Sequence, residues 1–172
     1  LAQLAKPTIG LVHNACFGGG CGFAASCDIL IASEDARFSI SEVRLGLTPA
    51  PILPQLVAAM GARALRRYAL DGETFDAGEA RRRGLVHEIC PVGGLEDAVA
   101  PMVDALLLGG PRAIAETKRL ITDVAGTGID EALAERMARD GAQSRAMAEG
   151  REGVSAFLEK RKPQWAADDE GP

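Results

Sequence analysis

Phe17-Gly18-Gly19-Gly20-Cys21-Gly22 stands between the apolar run Thr8-Ile9-Gly10-Leu11-Val12 and the small-residue run Phe23-Ala24-Ala25-Ser26-Cys27. Lys6-Pro7 precedes the first run, and proline suits the entry of a strand, not its middle. The pattern predicts a short buried strand, a tight turn over Phe17 to Gly22, and a helix that opens at Phe23 and packs close to its neighbours. Asp28-Ile29-Leu30-Ile31-Ala32 reads as a second strand and Arg37-Phe38-Ser39-Ile40 as a third, alternating one. Strand, turn, helix, strand is an α/β unit, and strands apolar throughout suit a sheet covered on both faces.

The glycine run has three readings. A backbone without side chains lets a ligand come close, and free N–H groups at a helix start attract negative charge, which suits a developing oxyanion. A dinucleotide is the second reading, because Gly20-x-Gly22-x-x-Ala25 fits G-x-G-x-x-G/A and Glu42 lies 20 residues past Gly22. Against it, the helix has room for only about two turns before Asp28, and Glu42 lies beyond the next strand instead of at its end. The third reading is packing of the helix on the sheet. The turn alone leaves all three open.

Past Ile40 the chain turns mostly helical. Pro54 to Met60 reads as a short helix ended at Gly61, and Asp76 as the N-cap of Ala77 to Arg83, ended by Gly84, with Leu85-Val86 leading on to Ile89. Leu95 to Leu108 follows, with Pro101 expected to kink it or shift its start. Pro111 opens a helix reaching about Val124. Asp130 to Ala148 is amphipathic, with Leu133, Ala134, Met137 and Ala138 on one face, and a last short helix carries Val154, Phe157 and Leu158. The tail Asp168-Asp169-Glu170-Gly171-Pro172 is expected to be disordered.

Composition narrows the function classes. With 172 residues, 47% hydrophobic and 25% charged, the chain has the make-up of an ordinary globular domain. A net charge of −5 and 4% aromatic residues argue against a nucleic-acid binder. Cys16, Cys21, Cys27 and Cys90 form no C-x-x-C pair, and with two histidines no metal site is expected. The cysteines read as small hydrophobes in a reducing, cytoplasmic setting. His13 and His87 read as structural. No run reaches the ~18 apolar residues of a membrane span, and no signal peptide opens the chain. The abrupt start at Leu1 leads to the expectation that an N-terminal portion is missing.

The pieces around the turn form an ordered set. Lys6-Pro7-Thr8-Ile9, Phe17-Gly18-Gly19-Gly20-Cys21, Cys27-Asp28-Ile29, Ala36-Arg37-Phe38 and Glu42-Val43-Arg44-Leu45-Gly46-Leu47-x-Pro49 come first. Thr74-Phe75-Asp76-Ala77-x-Glu79-Ala80, Gly84-Leu85-Val86 and Glu152-Gly153-x-x-Ala156-Phe157-x-Glu159-Lys160-Arg161-x-Pro163 follow. Together they resemble the crotonase (enoyl-CoA hydratase/isomerase) superfamily over nearly the whole chain, with about the N-terminal third of the family pattern absent.

The resemblance implies an α/β, ClpP-like spiral of ββα units with a C-terminal helical trimerisation region. Residues 1–92 would be the later part of the spiral core, 93–165 the trimerisation helices, and 166–172 a disordered tail. It implies an acyl-CoA substrate, a homotrimer or hexamer, and no cofactor beyond the coenzyme A that the substrate carries. Gly19 matches the amide that holds the thioester oxygen, with Gly18 and Gly20 keeping the turn open. Glu42 matches one of two catalytic glutamates. The other would stand where this chain has Gly22. Phe157 and Lys160 match residues that contact coenzyme A, while Arg161 and Lys162 read as a solvated cluster.

Pro49-Ala50-Pro51-Ile52-x-Pro54 replaces the family's usual P-G-x-G pattern. With Gly22, it resembles hydratases of branched, carboxylated enoyl-CoA, the methylglutaconyl- and isohexenylglutaconyl-CoA type. The implied activity is a lyase adding or removing water across Cα–Cβ. An isomerase working with one glutamate, or a non-catalytic acyl-CoA-binding homologue, are the alternatives.

Overall fold

The computed structural model describes residues 1–166. The tail from Asp168 to Pro172, expected to be disordered, lies outside the described residues. The chain divides into two compact units, Leu1–Pro101 and Met102 onward.

The first unit holds two small sheets. In one, β1 (Ile9–Val12), β3 (Ile29–Ser33) and β6 (Glu88–Cys90) run parallel in the order β1-β3-β6. In the other, β2 (Ala15–Phe17) pairs parallel with β4 (Arg37–Ser39), which pairs antiparallel with β5 (Phe75–Asp76). The unbroken apolar run of β3 puts it in the middle of its sheet, with Leu30, Ile31 and Ala32 buried. The first strand does not meet its expectation of burial. β1 has β3 as its one neighbour in the sheet, and Leu11 is 41% exposed.

Helix α1 also departs from the sequence reading. It runs Gly19–Ala25, so the glycines are its first turn, and Phe23 lies inside it. The chain reverses at Gly18 alone, whose φ of 50° and ψ of −121° only glycine adopts readily. Ala15–Phe17 is a strand because β4 offers it a partner distant in sequence. Ala15-Cys16-Phe17 carries too little periodicity to announce itself.

Beyond β4, 3₁₀ turns at Glu42–Leu45 and Ala50–Ile52 lead into α2 (Leu53–Met60), and α3 (Ala62–Asp71) follows. Gly46 and Gly72, both left-handed, end the first turn and α3. Asp76 caps α4 (Ala77–Arg82) as expected, its carboxylate accepting from the Glu79 N–H at 2.7 Å. Leu30, Phe38, Ile40 and Leu56 form the centre of the core. Phe75 stacks on Phe38 with ring centres 5.7 Å apart and leans on Tyr68 at 4.3 Å.

α5 (Leu95–Leu107) starts where the sequence placed it and holds Pro101 in its interior, so the proline does not shift its start. In the second unit, α8 (Ala148–Leu158) packs against α6 (Pro111–Val124) and α7 (Glu131–Ala146). The helix expected over Asp130 to Ala148 stops early, at Ala146, with Met147 extended. The two helices then meet closely, since a Cβ at Gly150 would lie 2.3 Å from the Ser144 carbonyl. Glu149 accepts from the Arg112 and Ala113 amides and so caps α6.

Candidate active site

The pairing of β2 with β4 sets up the site. Phe17 lies opposite Ser39, and the Gly18 N–H extends this ladder by donating to the Ser39 carbonyl at 2.8 Å. The two strands therefore leave the sheet side by side. One continues into the glycine turn and α1, the other through Ile40 and Ser41 into Glu42.

Gly18 turns the chain so that Gly19 begins α1. The first amides of a helix have no partner within it. No protein acceptor takes the Gly19 or Gly20 N–H among the described residues, and both positions are exposed. Around Gly19 the space is open, with nothing within 4 Å of where a Cβ would stand. This is a pair of donors facing outward, with room for a ligand beside them.

Glu42 closes the other side. A Cβ at Gly18 would stand 3.1 Å from its Oε1, and its Oε2 is buried without a hydrogen-bond partner. A buried, unpaired carboxylate oxygen is costly to leave unsatisfied and suits a proton-bearing ligand or water. The 3₁₀ turn holding Glu42 is braced by Arg44, whose Nε donates to the Asp71 carbonyl at the end of α3 at 3.1 Å. That brace is absent from the sequence reading, because it joins residues 27 apart.

Gly22 is buried in α1, and a Cβ there would lie 2.1 Å from Cγ2 of Ile52. The position where the resemblance expects a glutamate is thus filled from the opposite side. Three residues on from Ile52, Gln55 has a second buried oxygen without a partner, Oε1. Neither Ile52 nor Gln55 stands out in the sequence, except through the proline-rich segment that carries Ile52.

The cysteines and histidines around the turn have structural partners. None of the four cysteines is in a disulfide. Cys21 donates to the Cys16 carbonyl at 2.8 Å, and its thiol is pushed up by the hydrogen bond to the Cys16 thiol and by burial. The same bond holds Cys16 lower, against the effect of its burial. Nδ1 of His87 accepts from the Leu30 N–H at 3.0 Å, tying the residue before β6 to β3. His13 lies at the surface, its Nδ1 3.1 Å from the Asn14 side-chain nitrogen. No cluster of three or more His, Cys, Asp or Glu residues suits a metal ion among the described residues.

The dinucleotide geometry is not met. α1 has only seven residues, and Glu42 lies beyond β4, beside Gly18, instead of at the end of β3.

Gly18, Gly19, Gly20, Gly22 and Glu42 are thus gathered in the first unit. Phe157 and Lys160 belong to the second, at the end of α8. Phe157 is 81% exposed and so takes no part in a core of its own chain. Lys160 is left-handed, with φ of 55°. Arg161 is not merely solvated. It makes a two-pronged pair with Glu152, at 2.6 and 3.0 Å, and a bond to Glu159 at 2.7 Å.

The sequence pattern of the family described as enoyl-CoA hydratase/isomerase matches residues 1–168. An enoyl-CoA hydratase from Shewanella pealeana superposes with a TM-score of 0.92 at 43% identity, over 95% of this chain and 61% of that one. The mevalonyl-coenzyme A hydratase sidH of Aspergillus fumigatus is 34% identical over 93% of this chain and 60% of its own length. The 2,3-dehydroadipyl-CoA hydratase of Escherichia coli is 30% identical, over 93% and 63% respectively. The chain therefore spans under two thirds of the length of these relatives. The mixed α/β architecture and the match over 168 residues agree: the chain belongs to the enoyl-CoA hydratase/isomerase family.

Proposed function

We propose that the protein adds or removes water across the Cα–Cβ bond of an acyl-CoA thioester. The observation that carries this reading is the open, unpaired amide of Gly19 beside the unpartnered carboxylate oxygen of Glu42. In hydration, the oxygen of water bonds to Cβ and the C=C electron pair shifts through Cα onto the thioester oxygen. The Gly19 N–H would hold that oxygen, a contribution worth roughly 3 kcal/mol per donor. Glu42 would accept the proton of water and deliver one to Cα, so that one molecule of water is taken up and no proton is lost. Groups in such roles contribute about 10²–10⁴-fold.

A branched or carboxylated acyl group is the finer part of the proposal. It rests on the pattern of Gly22 with the segment Pro49 to Pro54, and on similarity to a hydratase named for a dehydroadipyl thioester. The helices from Leu95 onward would join subunits into trimers or hexamers, and Phe157 and Lys160 would meet the nucleotide end of coenzyme A. The exposure of Leu107, Leu108, Ile121, Ile129 and Leu158 supports such assembly. That none of the four cysteines is in a disulfide suits a cytoplasmic location. Isomerisation of a 3-enoyl thioester is the second reading, favoured by the side-chain-free position 22.

The test is turnover of crotonyl-CoA and 3-methylglutaconyl-CoA by the full-length protein and its Glu42→Gln variant. The expected result is hydration by the parent and a loss of about 10²–10⁴-fold in kcat in the variant. Full activity of Glu42→Gln removes Glu42 from the mechanism. Binding of thioesters without hydration or isomerisation overturns the enzyme reading.

A further inference from the structure

We propose that Ile52 sets the reaction type of this protein by keeping position 22 free of any side chain, so that proton transfer at the glycine turn depends on Glu42 without a second carboxylate from α1. The inference rests on the reading of Gly19 and Glu42 given above and extends it to a residue outside the turn.

Gly22 lies in the interior of α1, where glycine is less favourable than alanine by about 1 kcal/mol. Its backbone is not in the left-handed region, so conformation does not demand glycine there. Ile52 does. A Cβ at position 22 would stand 2.1 Å from Cγ2 of Ile52, 2.4 Å from its Cβ and 3.3 Å from its Cα. A rotamer change relieves only the first of these contacts, because Cβ moves only with the backbone.

The backbone is poorly placed to retreat. Pro49, Pro51 and Pro54 fix φ on both sides of Ile52. Ile52 is also the N-cap of α2, and Leu56, one turn further on, is fully buried in the core. The neighbouring glycines show the contrast. Nothing stands within 4 Å of a Cβ at Gly19, and at Gly20 only the Cys16 sulfur comes near, at 3.8 Å. The turn is open at Gly19 and Gly20 and sealed at Gly22.

The chemistry follows from that seal. With one carboxylate, a 3-enoyl thioester is isomerised when Glu42 takes a proton from Cα and returns it to Cγ. The double bond moves to Cα–Cβ, and no water or redox partner enters. Hydration asks more, because the oxygen of water must be activated at Cβ while Cα receives a proton, and Glu42 must serve both. A carboxylate restored at position 22 would speed hydration and leave isomerisation nearly as it was.

The experiment compares the full-length parent with Gly22→Glu, Ile52→Gly and the double variant. Hydration of crotonyl-CoA and isomerisation of 3-hexenoyl-CoA are measured for each. Gly22→Glu alone is expected to lower Tm, and Ile52→Gly to restore part of that loss. The hydration-to-isomerisation ratio of the double variant should rise at least about tenfold over that of Ile52→Gly. An unchanged ratio overturns the proposal.

A second series guards against misfolding. Gly22→Ala should lower Tm in the parent and in Ile52→Ala, whose Cβ keeps the 2.4 Å contact, and raise it in Ile52→Gly. Equal tolerance of Gly22→Ala in all three backgrounds also overturns the proposal. A parent inactive on both thioesters overturns the functional reading itself, and this inference with it. An active parent with an unmoved ratio overturns this inference alone.

Discussion

Gly18 and Glu42 are the two residues whose placement makes the site, and each holds the other in check. Gly18 adopts φ of 50° and ψ of −121°, and its open α-carbon lies where a methyl group would come 3.1 Å from the Glu42 carboxylate. Gly18→Ala therefore carries backbone strain of about 1–3 kcal/mol and crowds the carboxylate as well. The expected outcome is a loss of stability of that order in urea unfolding, with kcat reduced more than KM. Alanine at Gly19 meets open space and should cost far less stability. Gly18 was legible in the sequence as a turn, whereas Gly19 read as turn and instead opens α1; the resemblance separated Gly19 from its neighbours. Ile52 was not legible, because nothing in Pro51-Ile52-Leu53 reveals that this side chain enters the space beside Gly22. Gln55 and Arg44 escaped for the same reason: their significance lies in contacts, or missing contacts, across the fold.

Among the elements, the buried strand β3, the alternating strand β4 and the capped helix α4 were readable, and β2 and β5 were not. β3 is apolar from Ile29 to Ala32, and Asp76 announces α4 by its position before Ala77. β2 and β5, with three and two residues, exist through pairing with β4 and carry no pattern of their own. α4 then ties the second sheet to α3 through Glu79. Its carboxylate accepts from the Tyr68 hydroxyl at 2.6 Å, from Arg83 at 2.7 Å and from Arg82 at 2.8 Å. The Tyr68 bond first, then those of Arg83 and Arg82, lower the Glu79 carboxyl from 4.5 to about 2. A carboxyl held lower in the folded protein contributes stability that is present above its unfolded value and is lost as pH falls through its folded value. Stability should thus decline between about pH 4.5 and 2 in part through Glu79. Glu79→Gln should be less stable than the parent at pH 7, with the gap narrowing toward pH 2. Urea midpoints across that range check it, and a gap that stays constant with pH refutes it.

At the scale of the molecule, the two units differ in how they bury apolar surface. Most of the core residues lie before Pro101, from Cys16 to Cys90, whereas the described residues after Met102 bury only Ala156 among their apolar side chains. Leu107, Leu108, Ile121, Ile129, Val154, Phe157 and Leu158 are all exposed in the second unit, Ile129 at 94%. Amphipathic helices gain most of their stability from packing an apolar face, and α6 and α7 have no fully buried side chain in the isolated chain. The first unit also exposes large apolar side chains, Phe23 and Leu45 among them, so what sets the second apart is the near absence of buried ones. Charge pairs such as Arg161–Glu152 fix the end of α8 locally, but exposed pairs contribute little and do not replace a core. The second unit should therefore be stabilised by association, and light scattering of the full-length protein should give a mass three or six times that of the protomer. Its Tm should rise with protein concentration, as mass action requires of a fold completed by subunit contacts. A monomer whose Tm is independent of concentration would show that these helices are stable with their apolar faces in water, and would remove the trimer from the proposal.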